Sequence, residues 1–287
     1  MNYKLLGNTG VKVSTLCFGT MLFGDSVDEE TAAALFNRCR DAGINFFDCA
    51  NVYAGGRSEE ILGDLIADCR DELVITTKVF GNTGPDINAG GTSRRHINRA
   101  VEDSLRRLKT DYIDVYFLHN IDPNTSIEET LRTLDDLVKA GKILYPAVSN
   151  QPAWKTAKAL GISDKEGLAR FECIQPMYNL TKRQAEVEIL PMAQAENVSV
   201  IPYNPLGAGL LTGKYGRDKR PDVGRLVEND AYQSRYGKAV YYEVAERITT
   251  FAQERNLDPV GLAVAWVASH PAVTAPIIGA RNVEQLE

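Results

Sequence analysis

The sequence predicts an α/β chain that closes a (β/α)8 (TIM) barrel behind an N-terminal β-hairpin, and three observations lead there. Short apolar runs alternate with amphipathic stretches almost from end to end, the pattern of parallel strands joined by crossover helices. The 287 residues, 44% of them hydrophobic, hold apolar material for one large core, and barrels of this class run to about 250 residues. Three of the runs, Phe46-Phe47-Asp48, Val74-Ile75-Thr76-Thr77-Lys78 and Val115-Tyr116-Phe117-Leu118-His119, finish on a polar or charged residue. The strand ends of a parallel barrel share one mouth. Residues 1–287 are therefore expected to form a single barrel domain.

The elements can be justified in order. Tyr3 to Ser14 reads as a hairpin turning on Gly7-Asn8-Thr9-Gly10, because glycine and asparagine tolerate positive φ. Eight strands are then expected to end near Gly19, Asp48, Lys78, His119, Val148, Gln175, Tyr203 and Ile278. A first helix closes at Ala42-Gly43. After Ser93, Ile97, Ala100, Val101, Leu105 and Leu108 make one apolar stripe, and Arg94, Arg95, Arg99, Arg106 and Lys109 lie off it as a solvated face. Ser126-x-x-Glu129 predicts a capping box ahead of Ile127, Leu131, Leu134 and Val138, and Gly141 ends that helix. Residues 207–238 lack periodicity; a loop of that length in a compact domain is usually functional, and it is expected to fold over a ligand at the mouth.

Composition excludes several classes. The net charge of −6 is spread in mixed sign along the chain, which argues against a nucleic-acid groove or a membrane-attracting patch. No apolar stretch approaches the roughly 20 residues that span a bilayer, and Met1 to Leu6 lacks the start of a secretory signal. A cytoplasmic protein, monomeric or weakly homo-oligomeric, is expected. Cys17, Cys39, Cys49, Cys69 and Cys173 are odd in number with no C-x-x-C spacing, so they read as reduced core thiols and no metal site is expected. The segment Gly207 to Tyr215 fails as a phosphate loop, since Ala208 replaces the first glycine and Tyr215 the Ser or Thr. No G-x-G-x-x-G follows a strand. A glycosidase pair among Asp48, Asp114 and Asp122 is disfavoured because Asp114 lies inside its strand.

The residues that remain at the mouth suit carbonyl reduction. A carbonyl accepts hydride readily only when its oxygen is protonated or polarised as charge develops. Tyr53 can supply that proton if its pKa is lowered from about 10, and an ammonium at about 4 Å contributes roughly 4 kcal/mol at an effective dielectric near 20. Lys78 is therefore expected to bring Tyr53 close to neutrality, with Asp48 keeping Lys78 charged. His119 can donate to the same carbonyl oxygen. His96 and His270 read as structural or surface residues, and Phe23, Phe80 and Asn120 as residues that could shape the pocket.

The run Phe47-Asp48-Cys49-Ala50-Asn51-Val52-Tyr53-Ala54-Gly55-Gly56-Arg57-Ser58-Glu59, Ile75-Thr76-Thr77-Lys78 and the placement of His119 resemble the aldo-keto reductase signature. Further pieces resemble the family in order: Gly19-Thr20-Met21, Val148-Ser149-Asn150, Gln175-Pro176-x-Tyr178-Asn179, Tyr203-Asn204-Pro205-Leu206, Gly209-Leu210-Leu211-Thr212-Gly213-Lys214-Tyr215 and Ile277-Ile278-Gly279-Ala280-Arg281. The similarity extends to the potassium-channel β-subunit-like branch. It implies a barrel that binds NADP(H) without a Rossmann fold and reduces a small aldehyde or ketone, with Asp48, Tyr53, Lys78 and His119 catalytic. It further implies that Ser149, Asn150 and Gln175 hold the nicotinamide carboxamide, that Tyr203 stacks on its ring, and that Lys214, Arg281 and Gln285 hold the phosphates and adenosine end. Thr20, Met21, Asp48, Asn204, Pro205, Leu206, Gly209, Leu211 and Gly279 would complete the cofactor site. Arginine and lysine there favour NADPH over NADH.

The same resemblance leaves two alternatives, a cofactor-binding regulatory or partner protein of this fold and a sugar-nucleotide ketoreductase. Relatives continue past the position of Glu287, so a truncated C-terminal helix and weaker cofactor binding are expected.

Overall fold

A computed structural model describes residues 1–287. The hairpin comprises β1 (Tyr3–Leu5) and β2 (Lys12–Ser14), paired antiparallel. The parallel sheet follows as β3 (Cys17–Gly19), β4 (Phe46–Asp48), β5 (Val74–Val79), β6 (Ile113–Leu118), β7 (Ile143–Ser149), β8 (Cys173–Gln175), β9 (Ser199–Val200) and β10 (Ile277–Ile278). Its eight strands run in the order β10-β3-β4-β5-β6-β7-β8-β9. The ends meet through a Val200–Val273 bridge and the bond from Ile277 N to Pro202 O at 2.9 Å, which closes a (β/α)8 barrel. The crossovers carry α1 (Glu29–Asp41), α2 (Arg57–Ile66), α3 (Arg94–Leu108), α4 (Ile127–Lys139), α5 (Ala153–Glu166) and α6 (Ile189–Ala195). Next come α7 (Arg225–Glu228), α8 (Asp230–Tyr236), α9 (Ala239–Gln253), α10 (Pro259–Ser269) and α11 (Val283–Leu286).

The larger core lies between sheet and helices, while Cys17, Phe46, Val74, Val115, Phe117, Ala147, Cys173, Ile201 and Ala275 fill the barrel lumen together with Leu6 and Val13 of the hairpin. Several expectations need correction. The seventh-strand signal at Tyr203 overshoots: β9 stops at Val200 and Tyr203 returns only as a bridge to Met177, since Pro202 and Pro205 carry no N–H for a ladder. Residues 207–238 are not structureless, because α7 and α8 form there and Leu210, Leu211, Tyr215, Leu226 and Tyr236 bury themselves against Tyr242 and Ala245 of α9 and Ala263 of α10. At the start of α4, Ser126 Oγ accepts from Glu129 N at 3.2 Å, but the Glu129 carboxylate turns to Arg94 N, so half of the capping box forms. All five cysteines are free, and Cys69 alone is not fully buried. No helix is long and apolar enough to cross a membrane.

Candidate active site

Two-residue alternation builds the mouth. Side chains at i and i+2 of a strand share a face, so on six strands the lumen stripe runs on into a polar group: Phe46 leads to Asp48, Val74 through Thr76 to Lys78, Phe117 to His119, Ala147 to Ser149, Cys173 to Gln175 and Ile201 to Tyr203. The register sets Asp48 beside Gly19 and Thr76, and Ser149 beside Gln175. Tyr53 reaches the mouth from the loop after β4. Ala54, Gly55 and Gly56, all with positive φ, turn the chain there, and Glu59 anchors the helix that follows. The Glu59 carboxylate, wholly buried, accepts from Thr77 Oγ1 at 2.5 Å and Arg107 Nε at 2.7 Å.

Lys78 Nζ donates to Asp48 Oδ2 at 2.6 Å and to Cys49 O at 2.5 Å, and lies 3.4 Å from Tyr53 Oη. Asp48 Oδ1 accepts from Thr76 Oγ1 at 2.6 Å and Gln175 Nε2 at 2.9 Å. The His119 ring stands edge-on to Tyr53, with centroids 6.0 Å apart. Burial opposes the Lys78 charge, but the adjacent Asp48 carboxylate more than reverses this and holds its pKa above the ordinary lysine value. Burial pushes the Tyr53 phenol up to about 12, against the pull of Lys78 and with a push from Asp48. The expectation of a near-neutral Tyr53 therefore fails in this state: desolvation outweighs the pull of Lys78, and Asp48, seated on the same ammonium, offsets part of that pull. Burial, then the charge of Lys78, lowers His119 to about 3, so its imidazole is neutral at ordinary pH.

The other expected residues surround these. Thr20 N and Oγ1 both donate to Asp48 O, at 2.9 and 3.1 Å, and Met21 follows at the mouth end of β3. Ser149 Oγ donates to Gln175 O at 2.9 Å; Asn150 Nδ2 donates to His119 O at 2.9 Å, and Asn150 Oδ1 accepts from Tyr203 Oη at 2.7 Å. Asn150 and Asn204 adopt positive φ, which asparagine tolerates. Pro205, Leu206, Gly209 and Leu211 line the turn after β9, and Lys214 lies exposed beyond it. Gly279 follows β10, backed by Gly19 O 3.5 Å from where a Cβ would stand. Gln285 Oε1 accepts from Arg281 N at 3.1 Å. Phe23 does not shape the mouth: it is buried against Phe18. His96 is buried with neither ring nitrogen bonded.

Sequence reading missed Thr76, the Cys49 carbonyl and the Gln175–Asp48 bond. A threonine two residues before Lys78 on the same face was the available signal for the first; the others depend on the register of distant strands.

The residues present fit a dinucleotide. Asn204 Nδ2 is buried without a partner, and Lys214 and Arg281 have no carboxylate within ion-pair range, leaving donors and cations for an amide and for phosphates.

A model of the aldo/keto reductase family matches residues 15–287. A protein named probable voltage-gated potassium channel subunit beta, from Arabidopsis thaliana, is 38% identical over 296 residues, covering 100% of this chain and 89% of that protein. An uncharacterized oxidoreductase, YrpG of Bacillus subtilis, is 36% identical over 305 residues with the same coverages, 100% and 89%. The norsolorinic acid reductase stcV of Emericella nidulans is 37% identical over 293 residues, covering 97% of this chain and 73% of that protein. With its matched residues and the barrel that carries them, the chain belongs to the aldo/keto reductase family.

Proposed function

We propose that this single barrel domain reduces an aldehyde or ketone to the alcohol with NADPH, Tyr53 acting as general acid. The observation that carries the reading is Lys78 Nζ held between Asp48 Oδ2 at 2.6 Å and Tyr53 Oη at 3.4 Å, with His119 against the same phenol. NADPH, when bound, supplies hydride. Ser149, Asn150, Gln175 and Asn204 would hold its amide end and Tyr203 its ring. Thr20, Met21, Pro205, Leu206, Gly209, Leu211 and Gly279 would line the site, and Lys214, Arg281 and Gln285 would hold the phosphate and adenosine end. Cations there match a 2′-phosphate.

A phenol near 12 is fully protonated at neutral pH, so Tyr53 is a loaded donor that releases its proton only as negative charge grows on the substrate oxygen. Lys78, kept charged by Asp48, then stabilises the phenolate left behind. Neutral His119 offers an N–H to the same oxygen, orienting the carbonyl. Loss of the NADPH absorbance band with a panel of aldehydes tests the reading. Turnover is expected, and Tyr53→Phe should cut kcat by about 10²- to 10⁴-fold while cofactor still binds. No turnover above background with cofactor shown to be bound would defeat it.

Relatives named as potassium-channel β subunits support a second reading, a cofactor-binding partner protein. That reading gains if Tyr53→Phe leaves the cellular phenotype intact while loss of NADPH binding abolishes it.

A further inference from the structure

Beside the mouth, the segments that follow β6 and β7 enclose a cavity of ≈ 210 Å³, bounded by Asn120–Thr125 on one side and Gln151–Lys158 on the other. It adjoins the site through the chain: Asn120 directly follows His119 and Gln151 directly follows Asn150. Gln151 is only 7% exposed, lines the cavity, and its side-chain amide has no hydrogen-bond partner in the protein. Its amide atoms are not among the buried orphans and keep contact with solvent, so they are open to a ligand that enters the cavity.

Charge defines what that something is. Helix α5 opens at Pro152 with no side-chain cap and no acidic residue in its first turn. Lys155 and Lys158 stand near its start instead, against the helix dipole, and neither has a carboxylate within ion-pair range. The carboxylate lining the cavity, Asp122, accepts from Thr92 N at 2.7 Å, Asn124 N at 2.9 Å and Thr125 Oγ1 at 2.9 Å, which hold it ionised, so one negative charge stands against two ammonium groups. The open polarity is thus mostly donor: two ammonium groups and the uncapped helix start, with the Gln151 amide beside them. Trp154, 61% exposed, adds a flat apolar face next to them.

We propose that this cavity takes the anionic end of an elongated substrate, a carboxylate or phosphate on a flat segment that lies along Trp154; the proposal rests on the carbonyl-reductase reading for what happens at the other end. It selects among carbonyl compounds by charge far from the reacting carbon.

Steady-state kinetics with benzaldehyde, 4-carboxybenzaldehyde, 4-formylphenyl phosphate and 6-formyl-2-naphthoate, in wild type and in Lys155→Ala/Lys158→Ala, test it. The double variant should raise KM for at least one anionic aldehyde by about tenfold, the scale of one charge-assisted hydrogen bond. Its kcat and its KM for benzaldehyde should stay within about twofold. Whichever anionic aldehyde responds most distinguishes a carboxylate end from a phosphate end. An unchanged KM for every anionic aldehyde, or an equal rise for benzaldehyde, overturns the proposal. If no aldehyde is turned over at all, the reductase reading fails instead, and the cavity is judged by phenyl phosphate quenching of tryptophan emission. Quenching lost in Trp154→Phe and in the double variant upholds an anion site, and quenching equal in all three proteins removes it.

Discussion

Four groups at the mouth constrain one another, and each constraint is measurable. Because the charge of Lys78 is shared between Asp48 and Tyr53, removing the ammonium should harm proton transfer far more than cofactor binding. Lys78→Met is expected to lower kcat by at least about 10²-fold and leave the NADPH Kd within a few fold, checked by single-turnover kinetics and fluorescence titration. Equal losses in both would make Lys78 a holder of the fold. His119 gives a pH signature. Its folded pKa is depressed to about 3, below the ordinary value of about 6.5. The unfolded chain therefore binds the extra proton between those values. Stability from this group is complete above about pH 6.5 and is lost as pH falls toward 3, at about 1.4 kcal/mol per unit. Urea unfolding of His119→Gln should show a smaller loss between about pH 7 and pH 4, by up to about 3 kcal/mol. That Asp48, Tyr53, Lys78 and His119 gather at one mouth was legible because each ends or follows an apolar strand run. The upward shift of Tyr53 was not, since it depends on the desolvation and charge cancellation of the folded state.

At the scale of elements, the strand-to-helix joint after β4 carries the phenol, and α2 packed on α3 holds that joint. A Cβ on Gly63 would stand 2.8 Å from Leu108 C and closer still to Arg107 O. Backbone cannot move aside as a flexible side chain can. Gly63→Ala should therefore destabilise by about 1–3 kcal/mol, read as a lower Tm. Buried Glu59 bridges the same elements through Thr77 and Arg107. The helix start at Ser126 was readable from local chemistry, and its side chain caps Glu129 N as expected; Ser93 caps His96 N in the same way. The extent of β9 was not, because prolines stop the ladder while the alternation that brings Tyr203 to the mouth continues.

For the molecule as a whole, the barrel is a lumen of apolar side chains closed below by the hairpin and open above to the site. Leu6 and Val13 are fully buried within that lumen cluster, and Gly7 N donates to Ser199 Oγ at 2.7 Å, tying the plug to the wall. Leu6→Ala should cost about 2–5 kcal/mol of stability in urea unfolding. Turnover per folded molecule should be unchanged, since the plug lies at the end opposite the proposed site. A fall in kcat without loss of stability would show that the plug governs the mouth.

Periodicity is a local property, so the barrel, the hairpin and the order of residues around the mouth could be read from the chain: a period of two for strands, about 3.6 for helices, and a polar residue where each lumen stripe ends. Partners distant in the chain and the medium around them are not local. That Gln175 donates to Asp48 across 127 positions, that Tyr53 is harder to ionise rather than easier, and that Gln151 faces a cavity between two loops were set by register, burial and closure. Those three properties exist only once the strands have found their neighbours.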